Sequence, residues 1–294
     1  MQKPAPIYSS DLVFHPESDP TYVHFEHGST NPFVANPPNF PRVNAWWMAD
    51  SSLLTYWPPA QANLIFGGAG LQSKFLKVGS TDCYVASNSN FVIVAFRGTE
   101  PDEWADVLTD VKIKLVPWTV GQVHRGFKEA LDVIWPTLET ELAALPGRTV
   151  WFTGHSLGAA LATLAADRFA NTRGVCTFGC PRVGDPTFAS AFNTKFAGRS
   201  LRYVNNNDVV THVPPPFGYE HVDARRFISS NGVISNQPLT LAHFFAELIG
   251  PTTSLLQIMQ SLMNHQITST PKFILEHMPK AYAIWTWNDY DHNG

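Results

Sequence analysis

Residues 149–160 read TVWFTGHSLGAA, in which an apolar strand runs into Gly154-His155-Ser156-Leu157-Gly158 and a helix rich in small residues follows. The two glycines leave room for the backbone to close around a sharp turn, so that the hydroxyl of Ser156 projects from the sheet edge. The N-terminus of the following helix adds free N–H groups and the positive end of its dipole. This stretch predicts a nucleophilic serine; the alternative is a glycine-rich turn with an incidental serine.

Short apolar runs recur on both sides of this stretch. They predict strands at residues 83–86, 91–96, 149–152, 175–178 and 201–204. Helical patterns lie around them, over residues 44–56, 123–145 and 157–169. The first two strands flank a polar turn and predict an antiparallel hairpin. Buried strands that alternate with helices are typical of an α/β fold with a mostly parallel central sheet and helices on both faces.

Length and cysteine content limit the domain organisation. The chain has 294 residues, which is enough for one α/β domain over residues 44–294. Residues 1–43 are rich in Pro, Asn and Ser and predict an N-terminal extended arm. The three cysteines are too few for a disulfide framework, and no Cys or His spacing suggests a metal site. We therefore expect neither a metal nor a cofactor.

Charge and hydropathy limit the partners. Only 15% of the residues are charged, against about 25% in an average protein, and no cluster of Lys or Arg is present. Nucleic acid is therefore not an expected partner. No apolar run is long enough for a transmembrane segment. Residues 1–6 lack the apolar core of a signal peptide, which predicts a cytoplasmic location by default. Secretion by another route, or as a processed mature form, is the alternative, and the oligomeric state stays unknown.

A serine nucleophile needs a histidine to accept its proton and a carboxylate to orient that histidine. Asp208 stands just past the last predicted strand, at the sheet edge where Ser156 is expected; Asp185 and Asp223 are its competitors. His155 occupies the variable position beside the serine and is interpreted as structural. The histidines after Asp208 are the candidates for the base, namely His212, His221, His243, His265, His277 and His292.

Five segments, in order along the chain, resemble those of the class 3 lipases, the fungal-lipase-like family of the α/β-hydrolase fold. They are FRGT at 96–99, VHRGF at 123–127, GHSLGAA at 154–160, TFGCPRVG at 177–184 and YVNNNDVVTHVPP at 203–215. The resemblance covers roughly residues 45–285. Five ordered segments are far more specific than a single five-residue motif.

The resemblance implies a catalytic triad of Ser156, Asp208 and His277, with His221 as the alternative base. It implies an oxyanion hole formed by the N–H groups of Thr99 and Leu157. For Thr99 the alternative is an ordinary residue at a strand end. His277 follows Asp208 by 69 residues, which is long for the family, and a helical insert accounts for the excess.

A short lid after Thr99 is also implied by the resemblance. Residues 100–110 can form an amphipathic helix that places Trp104 and Leu108 on one apolar face, where they would contact substrate. Val107 stands where the family commonly has Trp, so the register of this lid departs from the family pattern. A plain surface helix is the alternative.

A second apolar pattern lies in the helical insert. The apolar residues of 255–263, Met259 and Leu262 among them, recur at helical spacing. Because methionine adapts to ligands of variable shape, this face predicts an acyl-binding wall. Ordinary core packing is the alternative.

Together these features imply a carboxylic-ester hydrolase, a triacylglycerol lipase that works through an acyl-enzyme. Its substrate would be an ester or acylglycerol at a lipid–water interface. Two enzymatic alternatives use the same residues: an esterase for soluble esters of the feruloyl type, and a phospholipase A1. A catalytically silent lipid-binding domain is the alternative from another class, although every triad and oxyanion position carries a competent residue.

Overall fold

The computed structural model describes residues 1–98, 114–223, 225–236 and 270–293. Ten strands lie in these ranges: β1 Gln72–Val78, β2 Thr81–Ser87, β3 Phe91–Phe96, β4 Leu115–Pro117, β5 Gln122–His124, β6 Thr149–His155, β7 Thr172–Phe178, β8 Ser200–Asn205, β9 Arg225–Ile228 and β10 Ile234–Ser235. The described α-helices are α1 Ser10–Phe14, α2 Arg42–Leu54, α3 Pro59–Gly68, α4 Arg125–Ala143, α5 Leu157–Arg168, α6 Pro186–Lys195, α7 Lys272–Leu275 and α8 Pro279–Asn293. Two 3₁₀ turns lie at Pro16–Ser18 and Val209–His212.

Eight strands form one sheet in the order β1-β2-β3-β6-β7-β8-β9-β10. In this sheet β3, β6, β7, β8 and β9 run parallel, whereas β2 pairs antiparallel with both β3 and β1, and β10 pairs antiparallel with β9. Every residue of β3 is buried, as expected for a parallel strand covered on both faces. The predicted hairpin is confirmed, because Cys83 pairs with Phe96 and Ser87 with Val92. Strands β4 and β5 form a separate two-stranded sheet.

The two faces of this sheet bury two separate apolar cores. On one face, Trp46 and Trp47 of α2 pack in a cluster that contains Ile93 and Trp151. On the other face, the neighbouring strand residues Val92, Val94 and Phe152 pack in a cluster with α4 and α5. Adjacent residues of a strand point to opposite faces, so strands that are apolar throughout supply both cores. The predicted α/β-hydrolase fold, with its mostly parallel sheet and helices on both faces, is confirmed.

The first 43 residues lie against the α2 face of the sheet. Phe25 and Phe33 are buried and contact the indole ring of Trp47, with ring centroids 4.8 and 6.4 Å away. The Nδ2 of Asn205, at the end of β8, donates to the hydroxyl of Tyr8 at 3.1 Å. This segment therefore reaches the edge of the sheet where the parallel strands end. The boundary at residue 43 stays a prediction.

Candidate active site

Ser156 lies between the end of β6 and the first residue of α5, with φ 59° and ψ −130°. This left-handed backbone is rare for a residue with a side chain, and such strain is concentrated at functional sites. A side chain on Gly154 would collide with the backbone of Gly158, and one on Gly158 with the carbonyl of Phe96. Both glycines are therefore required by close backbone approach. The N–H of Ser156 donates to Phe178 O at 3.0 Å, which ties the turn to β7.

Asp208 lies on the loop that follows β8 and is fully buried. Its carboxylate accepts the backbone N–H of Val210 at 3.0 Å and the hydroxyl hydrogen of Tyr282. The Nδ1 of His277 lies 2.8 Å from both carboxylate oxygens. Burial raises the pKa of the Asp208 carboxyl to about 7, and the hydrogen bond from Tyr282 opposes that rise. Three donors directed at one carboxyl group fit its ionised form, which only accepts.

His277 lies between α7 and α8 and is also fully buried. Burial lowers the pKa of its imidazole well below the ordinary value, so the ring is neutral at neutral pH. With Nδ1–H donated to Asp208, the other ring nitrogen, Nε2, is the one that can accept a proton. The pair therefore has the arrangement of a general base held by a carboxylate.

Gly179 follows β7 and separates the serine turn from this pair. Its φ is +58°, and a side chain there would come within 2.7 Å of Asp208 Oδ2 and 2.8 Å of His277 Cε1. Only a glycine combines that backbone conformation with so close an approach. Since Gly179 directly follows Phe178, the residue bonded to the Ser156 N–H, the serine and the acid–base pair lie at the same sheet edge.

The side chain of His155 connects three parts of the site. Its Nδ1 lies 2.9 Å from the hydroxyl of Tyr56, and its Nε2 lies 2.8 Å from the backbone oxygen of His277. A side chain on Gly98, next to the predicted oxyanion residue, would collide with the Tyr56 hydroxyl, and the guanidinium of Arg97 lies 5.7 Å from the Tyr56 ring. The structural interpretation of His155 is consistent with this position, whereas no signal in the sequence pointed to Tyr56.

The structure brings Ser156, Leu157, Asp208 and His277 to one sheet edge. The alternative base, His221, instead lies 2.7 Å from the backbone oxygen of Thr211 through its Nε2. The competing Asp185 accepts the N–H of Phe188 and begins α6. The remaining predicted site residues lie outside the described residues, namely Thr99, Trp104, Leu108, Met259 and Leu262, as does the proposed lid.

Cations have no evident site in the described parts of the chain. No three His, Cys, Asp or Glu side chains there are grouped so that they could hold a metal ion. Within the same ranges, every helix is too short or too polar to cross a membrane.

The fold and the serine turn define an α/β-hydrolase, and comparison with known proteins gives the family. Residues 93–218 match the family described as Lipase (class 3). A lipase of Rhizomucor miehei is 32% identical over 205 residues, which cover 62% of this chain and 56% of that protein. Phospholipase A1-II 4 of Oryza sativa subsp. japonica is 34% identical over 179 residues, which cover 49% of this chain and 45% of that protein.

A solved structure of Rhizomucor miehei triacylglyceride lipase superposes with a TM-score of 0.51 and 27% identity. The superposed region covers 65% of this chain and 79% of the Rhizomucor miehei chain. The similarity to class 3 lipases that the sequence motifs predict is thus confirmed, with the family match over residues 93–218. The chain spans about half the length of the curated relatives that it matches.

Proposed function

We propose that this chain is a carboxylic-ester hydrolase whose substrates are acylglycerols, with triacylglycerol the principal one. The observation that carries the proposal is the buried hydrogen bond between Asp208 and His277 beside the strained backbone of Ser156. A serine, a neutral histidine and an ionised carboxylate at one sheet edge are suited to acyl transfer. The match of residues 93–218 to the class 3 lipases supports the ester as the bond that is cleaved.

The reaction would proceed in two stages. In the first, Ser156 Oγ attacks the ester carbonyl while His277 Nε2 takes its proton and then returns that proton to the leaving alcohol. In the second, His277 takes a proton from the water that attacks the acyl-enzyme and gives it to Ser156 Oγ as the bond from that oxygen to the acyl carbon breaks and the acid is released. Asp208 holds the ring tautomer and stabilises the imidazolium that forms in each stage.

Two backbone N–H groups would hold the oxyanion. Leu157 is the first residue of α5, so its N–H has no partner within the helix and is available at the positive end of the dipole. We assign the second N–H to Thr99. Loss of one such donor typically costs about 10² to 10³ in rate.

The substrate class is the finer part of the proposal. Trp104 and Leu108 of the lid, with Met259 and Leu262 of the acyl wall, are the residues we propose to contact the acyl chains. Met259→Trp should then shift the preference among p-nitrophenyl esters towards shorter chains. An unchanged chain-length profile in the folded variant would remove Met259 from the acyl-binding wall.

A fluorophosphonate probe and the hydrolysis of tributyrin test the proposal. We expect the probe to label the unaltered chain at one site and to leave Ser156→Ala unlabelled. Acid release from tributyrin should rise sharply above its solubility limit; a rate that saturates below the limit would instead identify an esterase for soluble substrates. Absence of labelling on Ser156 in folded protein would contradict the enzyme proposal altogether.

Phospholipase A1 activity is the second candidate, because a rice relative carries that name. Phosphatidylcholine vesicles assayed beside a triolein emulsion separate the two. Faster fatty-acid release from the vesicles would favour the phospholipase, and faster release from triolein would favour the lipase.

A further inference from the structure

The residue that precedes His277 is a buried carboxylate without a role in the proposed reaction. Glu276 is 2% exposed, and it directly follows the short helix α7. Burying a carboxylate is costly unless hydrogen bonds replace its water. The partners of Glu276 therefore show what keeps this charge inside the protein.

Those partners are three consecutive asparagines, the last residue of β8 and the next two residues on the loop that carries Asp208. The Nδ2 of Asn206 donates to Glu276 Oε1 at 2.6 Å, and the backbone N–H of Asn207 donates to Oε2 at 3.1 Å. The Nδ2 of Asn205 donates to the backbone oxygen of Glu276 at 2.8 Å. Every residue between β8 and Asp208 is thus bound to the residue just before His277; we call these three contacts the asparagine latch.

The latch joins the segment that carries Asp208 to the segment that carries His277, and the distance between these two side chains matters for catalysis. Asp208 and His277 are 69 residues apart in the chain, so contacts between distant segments must hold them together. The latch fixes both segments one residue away from the reacting groups. The left-handed φ of Asn206, +49°, directs its amide to the carboxylate, and Asn tolerates that conformation better than most residues.

The ammonium group of Lys272 also lies near the Glu276 carboxylate, but it contributes less to holding that carboxylate in place. The ammonium of Lys272 lies 3.6 Å from Glu276 Oε1, but its side chain is 70% exposed. Ion pairs with a solvent-exposed partner are weak, because water and salt screen them. The hydrogen bonds from the loop are therefore the specific interactions of Glu276.

We infer that Glu276 is a positioning residue, which sets the geometry of the Asp208–His277 pair through the asparagine latch. The inference rests on the proposed ester hydrolysis and adds to it a residue that does not touch substrate. A small misplacement of a catalytic group lowers the rate of the chemical steps without changing substrate binding.

Glu276→Gln tests this inference with little change of shape. Glutamine has one carbonyl oxygen and one amide nitrogen, so it can accept from only one of the two loop donors and opposes the other. With p-nitrophenyl butyrate we expect kcat per fluorophosphonate-labelled serine to fall by about 10- to 100-fold, with KM unchanged. Glu129→Gln makes the same change in the exposed Arg125–Glu129 pair on α4 and should keep the unaltered rate.

A second substitution supplies a rescue that a merely structural role would not give. In the double variant N206D/E276Q, the amide of residue 276 donates to the new carboxylate at position 206, and its carbonyl still accepts from Asn207. We expect the double variant to recover most of kcat, whereas N206D alone sets two carboxylates against each other and is slow. If E276Q does not fold, Asn206→Gly removes one donor, keeps the left-handed backbone and should lower kcat in the same way.

An unaltered kcat in folded E276Q, or a double variant no faster than E276Q, would overturn the latch while leaving the proposed hydrolase intact. Absence of turnover and labelling in the unaltered chain would overturn the hydrolase and the latch together.

Discussion

The Nε2 of His155 lies 2.8 Å from the backbone oxygen of His277, so the residue beside the nucleophile supports the segment that carries the base. A carbonyl only accepts, so this nitrogen must carry the hydrogen. Burial lowers the pKa of His155 well below its ordinary value, which leaves the ring neutral and makes Nδ1 an acceptor. The Tyr56 hydroxyl must therefore be the donor in the bond at 2.9 Å.

Tyr56→Phe removes that donor and leaves the buried Nδ1 of His155 without its partner. A buried acceptor that loses its donor costs about 1–3 kcal/mol of unfolding free energy. We expect this loss in urea unfolding, together with a lower kcat per labelled serine. Tyr84→Phe is the matched control, because the buried Tyr84 hydroxyl has no hydrogen-bond partner among the described residues. Equal unfolding free energies for the two variants would contradict the proposed donor role of Tyr56.

Tyr282→Phe should move the pH dependence of activity. The Tyr282 hydroxyl stabilises the ionised form of Asp208, so its removal raises the pKa of that carboxyl further above the ordinary value. A protonated Asp208 no longer stabilises the imidazolium, and the acid limb of kcat/KM should therefore move to higher pH. Tyr290→Phe removes a hydroxyl of the same helix that donates to Asn31, and its profile should match that of the unaltered chain. A limb that stays in place in Y282F would argue against this role.

The strained backbone at Ser156 predicts that glycine is more stable than alanine at position 156, whereas alanine is more stable than glycine at position 190. A left-handed non-glycine residue costs about 1–3 kcal/mol. Relative to alanine, glycine lowers the unfolding free energy by about 0.4–1 kcal/mol, because it gives the unfolded chain more conformational freedom. Ser156→Gly should therefore be more stable than Ser156→Ala by about 1 kcal/mol, although both are inactive. At Ser190, exposed on α6, glycine should be the less stable of the two. The same order at both sites, measured by urea unfolding, would refute strain at the serine turn.

Sequence patterns located the parts of the site that local structure determines. Ser156 lies where a buried strand turns into a helix, and Asp208 lies just past another buried strand, so neighbouring residues indicate both positions. His277 depended on the family resemblance, because the insert between the acid and the base gives no local signal. Tyr56 and Glu276 act through contacts with segments far away in the chain, which spacing alone does not predict.

The strands that the patterns missed share a physical cause. The central strands are apolar throughout because helices cover both of their faces. Strand β1 lies at the edge of the sheet and alternates exposed with partly buried residues, with Lys74 and Lys77 among them. Strand β9 likewise begins with Arg225 and Arg226 and lies one position from the opposite edge. A search for apolar runs therefore finds the middle of the sheet and omits its borders.

A buried histidine of the N-terminal segment and a buried carboxyl group of α2 have opposite effects on the pH dependence of stability. His24 lies between the rings of Tyr22 and Trp57, with centroids 5.0 and 4.7 Å away. Burial lowers its pKa to about 3, and the charge of Lys3 acts in the same direction. Burial raises the pKa of Asp50 to about 7, against the hydrogen bonds that the carboxyl accepts from Tyr22 and Phe25.

Between pH about 4 and about 6.5, residue 24 is protonated in the unfolded chain but not in the folded chain. Over the same range, residue 50 is protonated in the folded chain but not in the unfolded chain. The histidine therefore lowers stability as the pH falls through this window, whereas the carboxyl raises it, and the two effects offset each other. His24→Phe removes the first effect, so its unfolding free energy relative to the unaltered chain should rise on acidification, by up to about 1.4 kcal/mol per pH unit. Asp50→Asn should show the opposite slope. Parallel curves for all three proteins in urea unfolding across this window would show that neither group changes its protonation on folding.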